Sequence, residues 1–285
     1  MTRRPTVARR AEALVGLPVV ATSPVAGGTG TTLTKLRFND GTSGLVKTMP
    51  HPPAGFFAAE ARGLRALAAT PLSVPDLLGA DDECLVLRWV EPGRPTGESA
   101  EALGRALAGA HAVTRPEFGA DQDGFVGPLP LPNRPAPDWA EFYATNRVLP
   151  YLRLARDRAA ITADEAAAVE AVLPRLPELV PAEPPALLHG DLWNGNVVWG
   201  QDGHAWTIDP ASYFGHRETD LAMLALFGLP QLDRVLDAYQ EVSPLADGWR
   251  DRIGLHQLFP LLVHAVLFGP AYGARAAAVA VRPLG

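Results

Sequence analysis

The chain has 285 residues, 47% of them hydrophobic and 20% charged, a balance that supports a sizeable core and excludes disorder as a whole. Its net charge of −6 argues against a nucleic-acid binder, which would neutralise phosphates with clustered Lys and Arg, and its single cysteine, Cys84, excludes an internal disulfide and fits a reducing cytoplasm. The opening MTRRPTVARR has no apolar segment behind its charges, so no signal peptide is expected; the longest apolar run, Leu258 to Gly269, holds Pro260 and His264, is too short to span a membrane, and is expected as a buried helix.

Residues Arg3 to Val15 are expected to form a short helix with a basic, solvated side. From Val19 the pattern turns to β-rich runs, VVATSPVAGGTGTTLTKLRF and SGLVKTM, joined at Asn39-Asp40-Gly41, a hairpin signal. Gly27, Gly28 and Gly30 sit in the preceding turn, where missing side chains would let backbone N–H groups approach phosphates; alone, such a turn is equally an ordinary hairpin. Lys47 lies on the next strand and Glu60 in the helical segment FFAAEARGLRAL. Each alone would be a solvated charge. A lysine on the strand after a glycine loop, with a glutamate on the next helix, is also the pair that orients nucleotide phosphates in phosphoryl transfer.

A Pro-rich crossing, PLSVPDLLGA, leads to the strand ECLVLRWV, which ends at Glu91-Pro92-Gly93. A hinge is expected near residues 88–93, where backbone groups from Arg88 to Val90 would read an adenine. Cys84 is expected to be a packed strand residue. The helix Ser99 to Val113 ends near His111, read as structural or capping. Residues 115 to 137 form a Pro- and Gly-rich stretch too long to be a mere connector. Helices follow over Asp138 to Arg158 and Ala163 to about Leu173, capped by Asp138 and Thr162, and further helices are expected over FGLPQLDRVLDAYQEV and DGWRDRIGLHQLFPLLVHAVLFG.

Between them, Leu187 to Leu221 carries the chemistry. Asp191 follows His189-Gly190, Asn196 comes five residues later in front of the β-rich VVW, and a Gln-Asp-Gly turn leads to AWTI and Asp209. A carboxylate on a loop, an amide five residues on and a second carboxylate after a hairpin form a phosphoryl-transfer constellation. Asp191 can accept the proton of an attacking hydroxyl, and the oxygens of Asn196 and Asp209 suit Mg²⁺. The spacing matches the H-x-D-x-x-x-x-N loop and later metal-binding Asp of protein kinases, with Asp-Pro-Ala replacing their Asp-Phe-Gly.

HGDLWNGN followed by IDPASYFGHRETDLAML closely resembles the fructosamine kinase (ketosamine kinase) family, which shares its fold with the aminoglycoside phosphotransferases. The Trp after Asp-Leu and the Gly-His-Arg-Glu-x-Asp-Leu-Ala-Met run narrow the resemblance; other small-molecule kinases commonly carry His-Pro where this chain has Trp193-Asn194. Thr29 and Asn194 stand where many relatives carry Ser or another small residue. The resemblance implies a protein kinase-like α+β fold, with a small β-rich N-lobe over residues 1–90 and a larger helical C-lobe over 91–285. It implies ATP, held by Gly27, Gly28, Gly30, Lys47, Glu60, Arg88 and Val90, and Mg²⁺ on Asn196 and Asp209. Asp191 would be the base and Trp193 a wall for a sugar ring. His216 and Glu218 would face the substrate, though which of His216, Arg217 and Glu218 touches ligand stays open. His264 would stand on the far wall, unless it is a core histidine. His189 would brace the catalytic loop and Asp220 would hold its backbone. The activity implied is phosphorylation of a ketosamine sugar hydroxyl on a glycated small amine or glycated protein. A kinase of another small molecule, such as an aminoglycoside, and a non-catalytic nucleotide-binding protein remain as alternatives; the presence of Lys47, Glu60, Asp191, Asn196 and Asp209 together counts against the second.

Overall fold

The computed structural model describes residues 7–28 and 30–282, so Arg3 to Thr6 of the expected first helix and Thr29 of the glycine turn lie outside the described residues. Helix α1, Val7–Val15, buries Ala11. Its basic side is not merely solvated: Arg10 pairs with Asp81 at 2.8 Å and with Glu83, clamping the helix to the turn between two strands of the sheet.

That sheet has five antiparallel strands: β1 Val19–Val25, β2 Thr32–Phe38, β3 Ser43–Thr48, β4 Leu77–Ala80 and β5 Cys84–Arg88, in the order β1-β2-β3-β5-β4. Alternation sends Leu36, Phe38, Val46, Cys84 and Val86 to the face covered by α1, and Leu85 and Leu87 to the face covered by helix α2, Phe56–Ala68. The Asn39-Asp40-Gly41 turn forms as expected, with Asp40 Oδ1 accepting from Thr42 N at 2.8 Å and Thr42 Oγ1 at 2.7 Å. The Pro-rich crossing is more ordered than its composition suggests: it carries β4, the edge strand, where a proline-flanked segment needs to pair on one side only.

Helix α3, Gly97–His111, starts two residues earlier than expected because Thr96 and Ser99 close a reciprocal capping box. The stretch 115–137 also holds structure: strands β6, Gly124–Val126, and β7, Leu129–Leu131, form a hairpin packed on α2 through Phe125 and Phe56, 5.2 Å apart. Arg147 anchors its return, donating to Pro132 O and to Asn133 Oδ1 at 2.6 Å. The helix expected over Asp138 to Arg158 is interrupted. It runs as α4, Trp139–Phe142, a π-turn over Tyr143–Val148, and α5, Leu149–Asp157. Pro150 explains the interruption: it cannot donate to Asn146 O, which accepts from Arg147 Nη1 at 3.0 Å instead.

Helix α6, Ala163–Val172, is capped by Thr162 as expected and is followed by a single 3₁₀ turn and the short α7, Leu176–Leu179. Four short strands then build the catalytic stretch: β8 Ala186–Leu188, β9 Val197–Trp199, β10 Ala205–Thr207 and β11 Tyr213–Gly215, paired β9 with β10 and β8 with β11. Helices α8 Glu218–Phe227, α9 Leu232–Val242, α10 Trp249–His256, α11 Leu258–Phe268 and α12 Pro270–Val281 complete the described chain. The segment expected as one helix from Asp247 divides at Gln257, since Pro260 leaves His256 O without its i+4 donor. Helix α11 is buried, as its apolar run implies, and among the described residues no helix is long and apolar enough to cross a membrane.

Candidate active site

A cleft of about 880 Å³ lies between the five-stranded sheet and the catalytic stretch. Gly27, Gly28, Lys47, Glu60, Arg88, Val90, Asp191, Trp193, Asn196 and Asp209 all line it, from positions up to 182 residues apart; Gly30 does not, standing instead against Met49 and Pro128.

Lys47 sits on the strand between β2 and β5 and is almost wholly buried. Its Nζ meets Glu60 Oε1 on α2 at 2.7 Å and Asp209 Oδ1 at 2.6 Å. Burial would strip the ammonium of its proton, but the Asp209 and Glu60 carboxylates more than offset this and hold Lys47 charged. Asp209 follows β10 with φ 56°, a left-handed backbone that Asp tolerates better than most residues and that costs on the order of 1 kcal/mol. The geometry is held by main-chain stitches to the catalytic loop: Ile208 N donates to Asn196 O at 3.0 Å, and Ala211 N to His189 O at 2.9 Å.

Within that loop, Asn196 Nδ2 donates to Asp191 O at 2.8 Å and to Asp191 Oδ2 at 2.9 Å, fixing the carboxylate. Burial, reinforced by Asp209, pushes Asp191 up to about 7. His189 Nε2 donates to Ile208 O at 3.0 Å while its Nδ1 accepts from Asp191 N at 3.3 Å, so the neutral ring ties both ends of the site together. Asp220, in the first turn of α8, accepts from His189 N at 2.7 Å and Gly190 N at 3.0 Å. A third donor, His111 Nε2, reaches it at 3.2 Å, and His111 Nδ1 accepts from Tyr239 OH at 2.9 Å. Gly190 is required here: its φ is 83°, and a Cβ would lie 2.2 Å from Ala211 O.

At residues 88–90 the backbone is partly committed. Arg88 N donates to Asp76 O at 2.8 Å and Trp89 N to Ser43 O at 3.0 Å, and Val90 lines the cleft beside them. Among the aromatic walls of the cleft, Phe56 and Phe125 were not expected, and Trp89 was expected only for its backbone. Trp89 could have been read from its place at the end of ECLVLRWV; Phe56 and Phe125 meet only through the β6–β7 hairpin, which local pattern does not announce.

His216 and Glu218 are not in the cleft. Both are buried below the surface, and Arg252 takes both Glu218 oxygens, at 2.6 and 2.9 Å. Arg217 is bound to Glu183 at 2.7 and 2.9 Å and to Ser243, while His216 stacks on His256 with centroids 5.0 Å apart. The run therefore braces α8 against α10 and the segment before β8. Charged side chains suggested a ligand, but their partners Glu183 and Arg252 are remote in sequence. His216, Glu218 and His256 are also the one group among the described residues with ligand atoms close enough for a metal, within 4.8 Å. In that group Arg252 takes both carboxylate oxygens and Glu218 N–H reaches His216 Nδ1 at 3.3 Å, while His256 Nε2 stands 3.2 Å from Glu218 Oε2. His264 lies one ring beyond the cleft: Trp193 meets Phe227 at 5.6 Å, and Phe227 meets His264 at 4.9 Å.

A chain so arranged has clear relatives. The sequence profile described as "Fructosamine kinase" matches residues 6–284. The crystal structure of a protein described as a fructosamine-3-kinase from Thermobifida fusca superposes with a TM-score of 0.93 at 50% identity, over 98% of each chain. A protein named "Probable ketoamine kinase" from Enterococcus faecium is 39% identical over 240 residues, 81% of this chain and 83% of its own. The macrolide 2'-phosphotransferase of Brachybacterium faecium shares the fold at 18% identity, with a TM-score of 0.59 over 94% of each chain. The chain belongs to the fructosamine kinase family, with the protein kinase-like α+β fold of the small-molecule phosphotransferases.

Proposed function

We propose that this protein transfers the γ-phosphoryl group of ATP to a sugar hydroxyl of a ketosamine, of fructosamine or ribulosamine type, in a Mg²⁺-dependent reaction. The observation that carries the proposal is one cleft in which Lys47 bridges Glu60 and Asp209 while Asp191 and Asn196 face them from the catalytic loop. On this reading residues 1–90 form the nucleotide-binding lobe and 91–285 the catalytic lobe, with the hinge at 88–93 and Val90 N–H available to the adenine. Gly27 and Gly28 cover the phosphates. Lys47 holds the α/β-phosphates, oriented by Glu60.

The donor set fits a hard cation. Asn196 spends its amide nitrogen on Asp191 and keeps Oδ1; Asp209 spends Oδ1 on Lys47 and keeps Oδ2. When bound there, Mg²⁺ would neutralise charge on the β- and γ-phosphates. Asp191, oriented by Asn196, takes the proton of the attacking hydroxyl, and Trp193 supplies a flat apolar wall against the sugar ring. Family resemblance points to the hydroxyl on the third carbon, giving a product that breaks down to release the amine. A cytoplasmic setting, where ATP is available, accords with this chemistry.

An ADP-release assay over a panel of acceptors tests the reading. Wild-type protein should prefer fructosyl- or ribulosyl-amines to aminoglycosides and choline, and Trp193→Ala should raise KM for the ketosamine more than for ATP. Robust turnover of an aminoglycoside with none of any ketosamine would overturn it.

A further inference from the structure

Resting on the ketosamine reading, we propose that an aromatic ledge continuing from Trp193, made by Phe227, Phe268 and Tyr272 around His264, is the subsite for the amine-bearing group of the substrate, and that it selects aromatic, non-cationic substituents.

Trp193 belongs to both surfaces. It lines the cleft two residues after Asp191, and its ring meets Phe227 edge-on at 5.6 Å. From Phe227, at the end of α8, contact passes to His264 on α11 at 4.9 Å, and from His264 to Phe268 at 5.3 Å and Tyr272 at 5.1 Å. Phe268 is 56% exposed, and the other rings are partly exposed, although they rest on the main C-terminal core. Apolar rings gathered at the surface and continuous with a binding cleft mark a contact site. The amine of a ketosamine sits on the carbon next to the sugar ring, so a sugar held against Trp193 directs its nitrogen and substituent along these rings.

The ledge also answers how the amine is received once Glu218 is committed to Arg252. Aromatic faces attract a secondary ammonium. His264 Nδ1 donates to Pro260 O at 2.7 Å, which leaves Nε2 as an acceptor, and burial holds the ring in its neutral form. At the far end the Arg275 guanidinium stands 5.7 Å from the Tyr272 ring. Its charge opposes a second ammonium on the substituent, so polyamines and polycationic sugars are disfavoured while flat neutral groups stack.

The test compares kcat/KM for 1-deoxy-1-benzylamino-fructose, its methylamino analogue and its 2-aminoethylamino analogue. Wild-type protein should favour the benzyl over the methyl compound by on the order of tenfold, the discrimination an apolar subsite supplies, and disfavour the aminoethyl compound. Phe268→Ala, at an exposed position that does not threaten folding, and Tyr272→Ala should each shrink the benzyl-to-methyl ratio, and Arg275→Glu should lift the penalty on the aminoethyl compound. An unchanged ratio in both aromatic variants, with the methyl compound turned over, overturns the ledge and leaves the ketosamine reading standing. No turnover of any of the three overturns both.

Discussion

Asp220→Asn is a sharp probe of how the catalytic loop is held. The carboxylate accepts three hydrogen bonds, from His189 N, Gly190 N and His111 Nε2, and is almost wholly buried. Asparagine keeps the shape but offers one acceptor oxygen and an NH₂ that can only donate. If the oxygen takes the Oδ2 place, His189 and His111 stay bound and the NH₂ faces Gly190 N–H; the reverse orientation is worse. The best case therefore loses a hydrogen bond to a charged group, about 1.5–3 kcal/mol, and strands a buried donor at about 1–3 kcal/mol. The expected loss is about 3–5 kcal/mol, the range found when one partner of a buried charged network is removed and a large share of a total of about 5–15 kcal/mol. Because Gly190 directly precedes Asp191, kcat should fall about tenfold or more in the molecules that remain folded. Urea unfolding followed by circular dichroism, with kcat measured well below the transition, gives both numbers. A loss below about 1 kcal/mol, the net worth of one ordinary hydrogen bond, would refute the reasoning.

Asp191→Asn keeps the hydrogen bond to Asn196 but removes the proton acceptor, so kcat should drop on the order of 10²-fold or more with little change in nucleotide affinity; equal loss of ATP binding would reassign the residue. Asp209→Ala should abolish turnover with the fold intact by circular dichroism, and isothermal titration should show ATP affinity that no longer responds to Mg²⁺; retained kinase activity would sink the metal assignment. Acid should destabilise the protein in two stages. Burial, together with the His256 ring, brings His216 down to about 3, so neutral His216 supports the fold fully above its ordinary 6.5 and this support is lost as pH falls towards 3. For Glu218, burial pushes upward, but hydrogen bonds from His256 and Arg252 outweigh it and bring the group to about 2, so its contribution is present above 4.5 and fades as pH falls towards 2. Asp191, held up at about 7, works in the opposite sense between about pH 7 and 4, so the profile is read in Asp191→Asn, where Tm should decline below pH 6.5 and faster below 4.5; a flat Tm between pH 7 and 4.5 in that variant contradicts the assignment of these two groups.

What the sequence made legible follows the range of the forces involved. The Asn39-Asp40-Gly41 hairpin, the Thr162 cap and buried α11 are decided by neighbours within a few residues, and all appear as expected. Lys47, Glu60 and Asp209 converge from distant positions, yet their spacing within a known kind of constellation announced the convergence. The π-turn before Pro150 and the edge strand β4 were not legible, because each depends on a partner supplied by tertiary structure: Arg147 for the orphaned carbonyl of Asn146, and β5 for the ladder. His216 and Glu218 misled for a related reason. Polar residues next to a catalytic loop suggest ligand contact unless their ion-pair partners are known, and Glu183 and Arg252 lie 33 and 34 residues away.

The ion pairs of the cleft bear on the proposed reaction. Lys47 faces two carboxylates at once, Glu60 and Asp209, while burial first and Asp209 second push Asp191 up to about 7. Without a further cation the site holds more negative than positive charge, which does not suit a polyanionic nucleotide. On the proposed assignment, a metal ion held with the nucleotide would supply that cation. Asp209 would turn from Lys47 to the metal with Asn196, Lys47 would keep Glu60 and meet phosphate, and a cation held beside Asp191 would favour the carboxylate form that can accept a proton. On the proposed assignment, the ion-pair exchange at Lys47 would tie nucleotide binding to the readiness of Asp191 for transfer.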